Sequence, residues 1–213
     1  GDVQVTFSAE GLDLFPYRSL LPTVLDLTEK TTLDVSSLRL VWSAGARRVE
    51  VDGDWQIQDV GLTVPALANK PMTGIHVAGD MRATVDLKTA SVVVSPSTFR
   101  LGKVPITMTL RAEDLAEAPR LVLDLELPVV ETQHIVDSLP KEFIPRLEGL
   151  KMSGALEWDW HGTLDTRDMR SLQYTSRVKP RLVQVKDMGK HISFKAINRP
   201  FTHRVQRTDG EMF

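Results

Sequence analysis

Glu131, His134 and Asp137 lie three positions apart, and all three are of types that bind a divalent metal or work as an acid/base pair. On a helix this spacing brings them to one side. Val129, Val136 and Leu139 occupy the opposite side, so the trio reads first as the solvated face of an amphipathic helix. Trp158 and Trp160, with His161 beside them, are the material of an aromatic platform for a sugar ring or a lipid tail. Their place in an alternating pattern makes them core or groove lining first. Lys179, Arg181, Lys186 and Lys190 form a mildly basic stretch of the kind that approaches anionic lipid head groups. Acidic residues elsewhere balance it, and it reads as a charged connection to whatever follows. His203, on a short alternating strand, reads as structural. The sequence has no Gly-rich phosphate loop, no Gly-x-Ser-x-Gly elbow and no His-Glu-x-x-His helix, so no catalytic residue, metal or cofactor is assigned.

Composition narrows the function classes. With 213 residues, 42% of them hydrophobic, the chain is long enough to bury a core and is not of disordered composition. A net charge of -2 supplies no basic stripe for a phosphate backbone, so a nucleic-acid partner is not expected. The absence of Cys rules out disulfides, thiolate metal sites and a Cys nucleophile. No run approaches the roughly 18 apolar residues of a spanning helix and no signal peptide opens the sequence, a pattern that a fragment trimmed of its anchor would share.

The elements that must position these side chains are mainly strands. From Ile75 to Leu87 the odd positions carry Ile75, Val77, Gly79, Met81, Ala83, Val85 and Leu87, while polar residues dominate the even ones. From Lys151 to His161, Met152, Gly154, Leu156, Trp158 and Trp160 fall on one side and Lys151, Ser153, Glu157, Asp159 and His161 on the other. Shorter copies occur at Val3/Val5/Phe7, Leu38/Leu40/Trp42, Val104 to Leu110 and Leu121 to Leu127. This period predicts antiparallel strands with one apolar face, since parallel strands covered on both sides read as unbroken apolar runs. The fold class is therefore mainly β: long, curved antiparallel sheet with two or three short helices. Met81, Val85, Leu156, Trp158 and Trp160 are the expected lining of an apolar groove.

Gly79 and Gly154 sit on the apolar phase, where a missing side chain permits a bend, a bulge or close packing. They also belong to an internal match of Gly74–Met81 with Gly149–Leu156, compatible with two related half-sheets or with two strands entered through a turn glycine. Helical spacing predicts a helix over 129–139 stopped by Pro140, and a turn or two over 141–150, cut by Pro145. Residues 15–30 mix apolar spacing with Pro22, which excludes one uninterrupted helix.

The C-terminus alternates Phe201, His203 and Val205, then gives a turn signal at Thr208-Asp209-Gly210-Glu211 and stops without a partner strand. This segment resembles the approach to the catalytic domain in peptidoglycan glycosyltransferases of family 51, monofunctional type. Residues 1–188 resemble the AsmA-like proteins of Gram-negative envelopes. What carries that likeness is the Gly11-Leu-Asp-Leu14 entry, the amphipathic strands, Leu139-Pro140, the Leu147–Gly154 run into a long strand and the Leu164–Asp168 turn. Together the resemblances imply a periplasmic module tethered to the inner membrane. It would comprise an accessory domain over 1–188 and a linker with a first strand over 189–213, leading to a catalytic domain of the same chain. The family's Glu-Asp-x-x-Phe-x-x-His signature is missing: Glu113-Asp114 is followed by Leu-Ala-Glu-Ala-Pro. Without that base the fragment has nothing to deprotonate a sugar hydroxyl.

Three functions follow as expectations. The chain is a non-catalytic spacer or docking region acting near a lipid-linked peptidoglycan precursor, or a lipid-binding module, or a structural domain without a ligand. An open apolar floor favours the second reading, and a floor plugged by helices favours the first.

Overall fold

A computed structural model describes residues 1–20, 25–62, 72–138, 150–187 and 198–206. Among these residues ten strands follow one another as a single antiparallel meander in which each pairs with the next. They are β1 (Asp2–Asp13), β2 (Leu25–Ser43), β3 (Arg48–Leu62), β4 (Met72–Asp86), β5 (Ser91–Leu101), β6 (Val104–Glu113), β7 (Arg120–Glu131), β8 (Leu150–Asp165), β9 (Asp168–Asp187) and β10 (Phe201–Val205). A 3-10 helix (Phe15–Leu20) follows β1, and the α-helix among the described residues, α1 (Thr132–Ser138), lies between β7 and β8.

The registers carry the alternation across the whole sheet. One row of paired residues runs Val5, Leu40, Val51, Ala83 and Val94 over β1–β5 and continues Leu110, Leu123, Gly162, Tyr174 and Val205 over β6–β10. A second runs from Val3 and Trp42 through Val85 and Val92 to Leu121 and Leu164. A third holds Phe7, Leu38, Gly53 and Met81, then Ser97, Met108, Leu125, Trp160, Ser176 and His203. A fourth joins Val35, Trp55, Gly79, Phe99 and Ile106 in β2–β6 and Leu127, Trp158, Val178 and Phe201 in β7–β10. No charged residue stands in any of the four.

Bulges make this continuity compatible with bending. In β2 the apolar phase passes from even positions (Trp42, Leu40, Leu38) to odd ones (Val35, Leu33) at a register shift. The same switch occurs in β3 between Ile57 and Val60, where Asp59 has φ 55°, in β5 between Val94 and Ser97, and in β7 between Leu127 and Val130. An extra residue bends a strand and reverses which residues face the core. Here each reversal is matched in the sequence, so the apolar face stays apolar on both sides of the bend.

The strand connections differ at the two ends of the meander. Turns at 44–47, 87–90, 114–119 and 166–167 mark one end, and the 3-10 helix, the two-residue turn at 102–103 and α1 lie at the other. Buried hydrophobic residues gather toward the α1 end, as at Leu27, Val60, Ile75, Val104, Leu127, Val130 and Val183. Beneath α1, Val104, Leu127 and Val130 are the buried centre against which Ile106, Ile135, Leu156 and Trp158 pack. The rest of the face is only partly shielded. The accessible surface is 14509 Å², against about 9,900 Å² for a compact monomer of 23.8 kDa.

The strand expectations are met at β1, β2, β4, β6, β7 and β8. The 129–139 helix is corrected: Val130 and Glu131 still pair with Leu156 and Ala155, and α1 begins only at Thr132, whose hydroxyl donates to the Gly154 carbonyl. Leu25 and Leu27, counted in a mixed segment at 15–30, belong to β2. The C-terminal strand has a partner after all, since Phe201–Val205 pairs with Val178–Tyr174 of β9. The expected helix over 141–150, apart from Leu150 in β8, the linker around Met188 and the turn at 208–211 lie outside the described residues.

The internal match does not carry one geometry twice. Gly79 lies under two rings, Trp55 and Phe99, that meet across it with centroids 5.7 Å apart. Its aligned partner Gly154 is a bulge at φ 90°, where an added Cβ would come 2.4 Å from the Leu182 carbonyl oxygen. Trp158 tests the strand phase most simply, because its ring packs beneath α1 and its indole N–H donates to Ser176 Oγ at 2.8 Å. Trp158→Ala is expected to cost about 2–4 kcal/mol in a denaturant melt, and a loss below about 1 kcal/mol would contradict this packing.

Candidate functional site

The apolar face is the candidate site, built by cross-strand pairing. Met81 and Val85 come from β4, and Leu156, Trp158 and Trp160 from β8, all of them half-buried and all in or beside the uncharged rows. The sheet does not bring the two groups together, because β5, β6 and β7 lie between them, a separation of roughly 19 Å at the usual strand spacing. They are two stations on one surface. Between them stand Val94, Met108, Leu110, Leu123 and Leu125, of which the predicted lining included none.

At the β8–β10 side the face turns aromatic. Trp160 folds over Gly162, whose Cβ, if present, would overlap the indole ring. Freed by that glycine, Trp160 stacks on Tyr174 with centroids 5.9 Å apart, and Tyr174 meets His203 at 5.5 Å. This ladder spans three strands. Residues that pair an apolar body with a polar tip suit the border between a dry surface and water. The anticipated platform of Trp158, Trp160 and His161 is corrected by the pleat: His161 points to the opposite face, where its Nδ1 lies 2.6 Å from Asp124 Oδ1. Tyr174 and His203 take its place.

The opposite face is polar and internally neutralised. Lys179 pairs with Glu157 and lies 3.1 Å from Asp159, and Arg181 reaches Glu157 at 2.9 Å. Lys179 and Arg181 are thus rungs within β9, not a charged connection. Lys190 and the side chain of Lys186 lie outside the described residues. Hydrogen bonds from Lys179 and Arg181 hold the Glu157 carboxyl below its usual value, and the same bond to Glu157, with one to Asp159, holds Lys179 above its own. The hydrogen bond from the Thr89 backbone N–H lowers Asp86 in the 87–90 turn. A hollow of about 410 Å³ lies on this side among Thr109, Asp124, Asp159, His161, Thr175 and Arg177. A second, of about 280 Å³, sits beside α1 among His76, Lys103, Asp137 and Ser138.

The Glu131, His134 and Asp137 trio does not converge. His134 faces Glu131 at 3.7 Å, while Asp137 accepts a hydrogen bond from Gln133 at 2.8 Å. Among the described residues no group of three or more His, Asp or Glu side chains could hold a metal ion, and no helix is long and apolar enough to cross a membrane. Glu113 and Asp114 fall at the end of β6 and in the exposed turn after it. No family model matches the chain, and no curated protein or solved structure matches it.

Because Glu157 is lowered, its contribution to stability is complete above the ordinary carboxylate value of 4.5 and is lost as pH falls through the lowered value. Lys179, being raised, contributes up to and beyond 10.5 and plays no part in the acid change. Glu157→Gln is therefore expected to melt below the native protein at neutral pH, with the gap closing in acid well below 4.5. Equal melting temperatures at neutral pH would contradict the network.

Proposed function

We propose that this chain is a non-catalytic module of the bacterial envelope that holds the acyl chains of a lipid against its apolar sheet face. One observation carries the reading: the paired rows hold no charged residue, and most of their residues remain half-exposed, although Val35, Val94 and Ala112 are buried along with the cluster beneath α1. A face of this size left to water is unfavourable by about 25 cal/mol for each Å² of apolar surface. Flexible hydrocarbon conforms to a bent, mostly aliphatic surface and asks for no hydrogen bonds in return. The opposite, ion-paired face stays in water at no such cost.

A second reading has its own support. The Phe-x-His-x-Val strand is the edge strand β10, which runs away from the α1 end and stops at Val205, paired with Tyr174 short of the turns. A catalytic domain following it would leave the sheet on the side away from α1. On this reading the module is the periplasmic accessory region of a family 51 peptidoglycan glycosyltransferase anchored to the inner membrane. It positions that domain near a lipid-linked precursor or membrane lipid. The gene beyond Phe213 would then encode the Glu-Asp-x-x-Phe-x-x-His signature, and a continuation without it would remove the reading.

Lipid binding is tested by stripping the protein in detergent and titrating it with a fluorescent phospholipid. Saturable binding is expected. Leu110→Glu, in the central row, weakens it about tenfold or more because a carboxylate must be buried against hydrocarbon, whereas Arg111→Glu on the other face leaves it within about twofold. Circular dichroism confirms that both variants fold. Absence of saturable binding, or equal effects of the two substitutions, overturns the proposal and favours a structural domain without a ligand.

A further inference from the structure

Resting on the lipid-binding reading, we propose that the bound amphiphile has a fixed polarity, its headgroup at Tyr174 and His203 on the β9–β10 side and its tails over the aliphatic strands toward β1. The argument is the distribution of polar atoms on an otherwise dry surface. Four polar residues stand in the four rows: Ser97, Ser176, Tyr174 and His203. Ser97 Oγ donates to the Ser95 carbonyl at 2.8 Å and accepts from the Arg82 N–H at 3.1 Å. Ser176 Oγ accepts the Trp158 indole N–H. Both are engaged within the protein.

The Tyr174 hydroxyl and the His203 imidazole are different. Their rings are 5.5 Å apart, and neither makes a hydrogen bond to a described residue. Both lie on the last two strands, β9 and β10, with His203 exposed at the sheet edge. A hydroxyl and a ring N–H side by side are two donors, matched by an acceptor-rich group such as the phosphoester oxygens of a phospholipid. No carboxylate stands in the rows to repel it. From β1 to β7 the rows offer aliphatic and aromatic side chains and glycine apart from the engaged Ser97, so the tails have one direction in which to lie.

The test separates headgroup from tail by comparing two probes on the same protein: a phosphatidylglycerol with a fluorescent acyl chain, and diphenylhexatriene, a hydrocarbon without a headgroup. Tyr174→Phe and His203→Phe keep an aromatic ring at each position and remove both donors. The double variant is expected to bind the phospholipid about five- to tenfold more weakly, consistent with two lost hydrogen bonds, and to bind diphenylhexatriene as the native protein does. His203→Gln, which restores an N–H donor without the ring, is expected to recover part of the phospholipid affinity. Unchanged phospholipid binding in the double variant, or an equal loss for both probes, overturns the polarity while leaving lipid binding intact. Failure of the native protein to bind either probe overturns both.

Discussion

The structure depends on keeping one face of the sheet free of charge while the strands bend. A bulge reverses the side on which each later residue points, so an uncompensated bulge would turn every following polar residue into the dry face. In β2, β3, β5 and β7 the sequence changes phase at the register shift. The result is a bent surface whose paired rows carry no carboxylate, lysine or arginine. Glycines settle the places where strands or rings press closest, Gly154 against the β9 backbone and Gly162 beneath Trp160.

The same constraint organises the rest. Because the dry face does not close on itself, many of its buried residues lie toward the α1 end. Because the other face must carry all the charge, it does so in cross-strand pairs such as Glu157 with Lys179, which leaves no strongly basic or acidic patch from that stretch. A hydrocarbon ligand suits the first face. The Trp160, Tyr174 and His203 ladder gives that face a chemical direction that an all-aliphatic sheet would lack.

Much of the fold was legible in the sequence, and the bulges explain most of what was not. β4 and β8 alternate without interruption over long stretches, and both were read directly. β3 changes phase at Asp59, β5 carries three consecutive valines and then Pro96 at its switch, and β9 mixes Ser176 and Pro180 into its apolar phase before a positive φ at Leu182. A period-two search sees each of these as fragments. Of the site, Met81, Val85, Leu156, Trp158 and Trp160 were found because they lie in the clean strands. Tyr174 was hidden in β9, and the pairing of β10 with β9 is a long-range event that no local pattern announces. The helical stripe at 129–139 extends too far back because Val129 and Val130 fit it as well as they fit the end of β7.

Carbene footprinting of the detergent-stripped, ligand-free protein tests the central claim most directly, with mass spectrometry reading the label at Val51, Met81 and Leu110. These residues belong to β3, β4 and β6 in the middle of the sheet. If the apolar face is uncovered, they take clear label, below that of the exposed edge residues Val3 and Phe7 in keeping with their half-buried side chains. If they remain silent while Val3 and Phe7 react, the face is closed by the chain itself, and a surface open to lipid is contradicted.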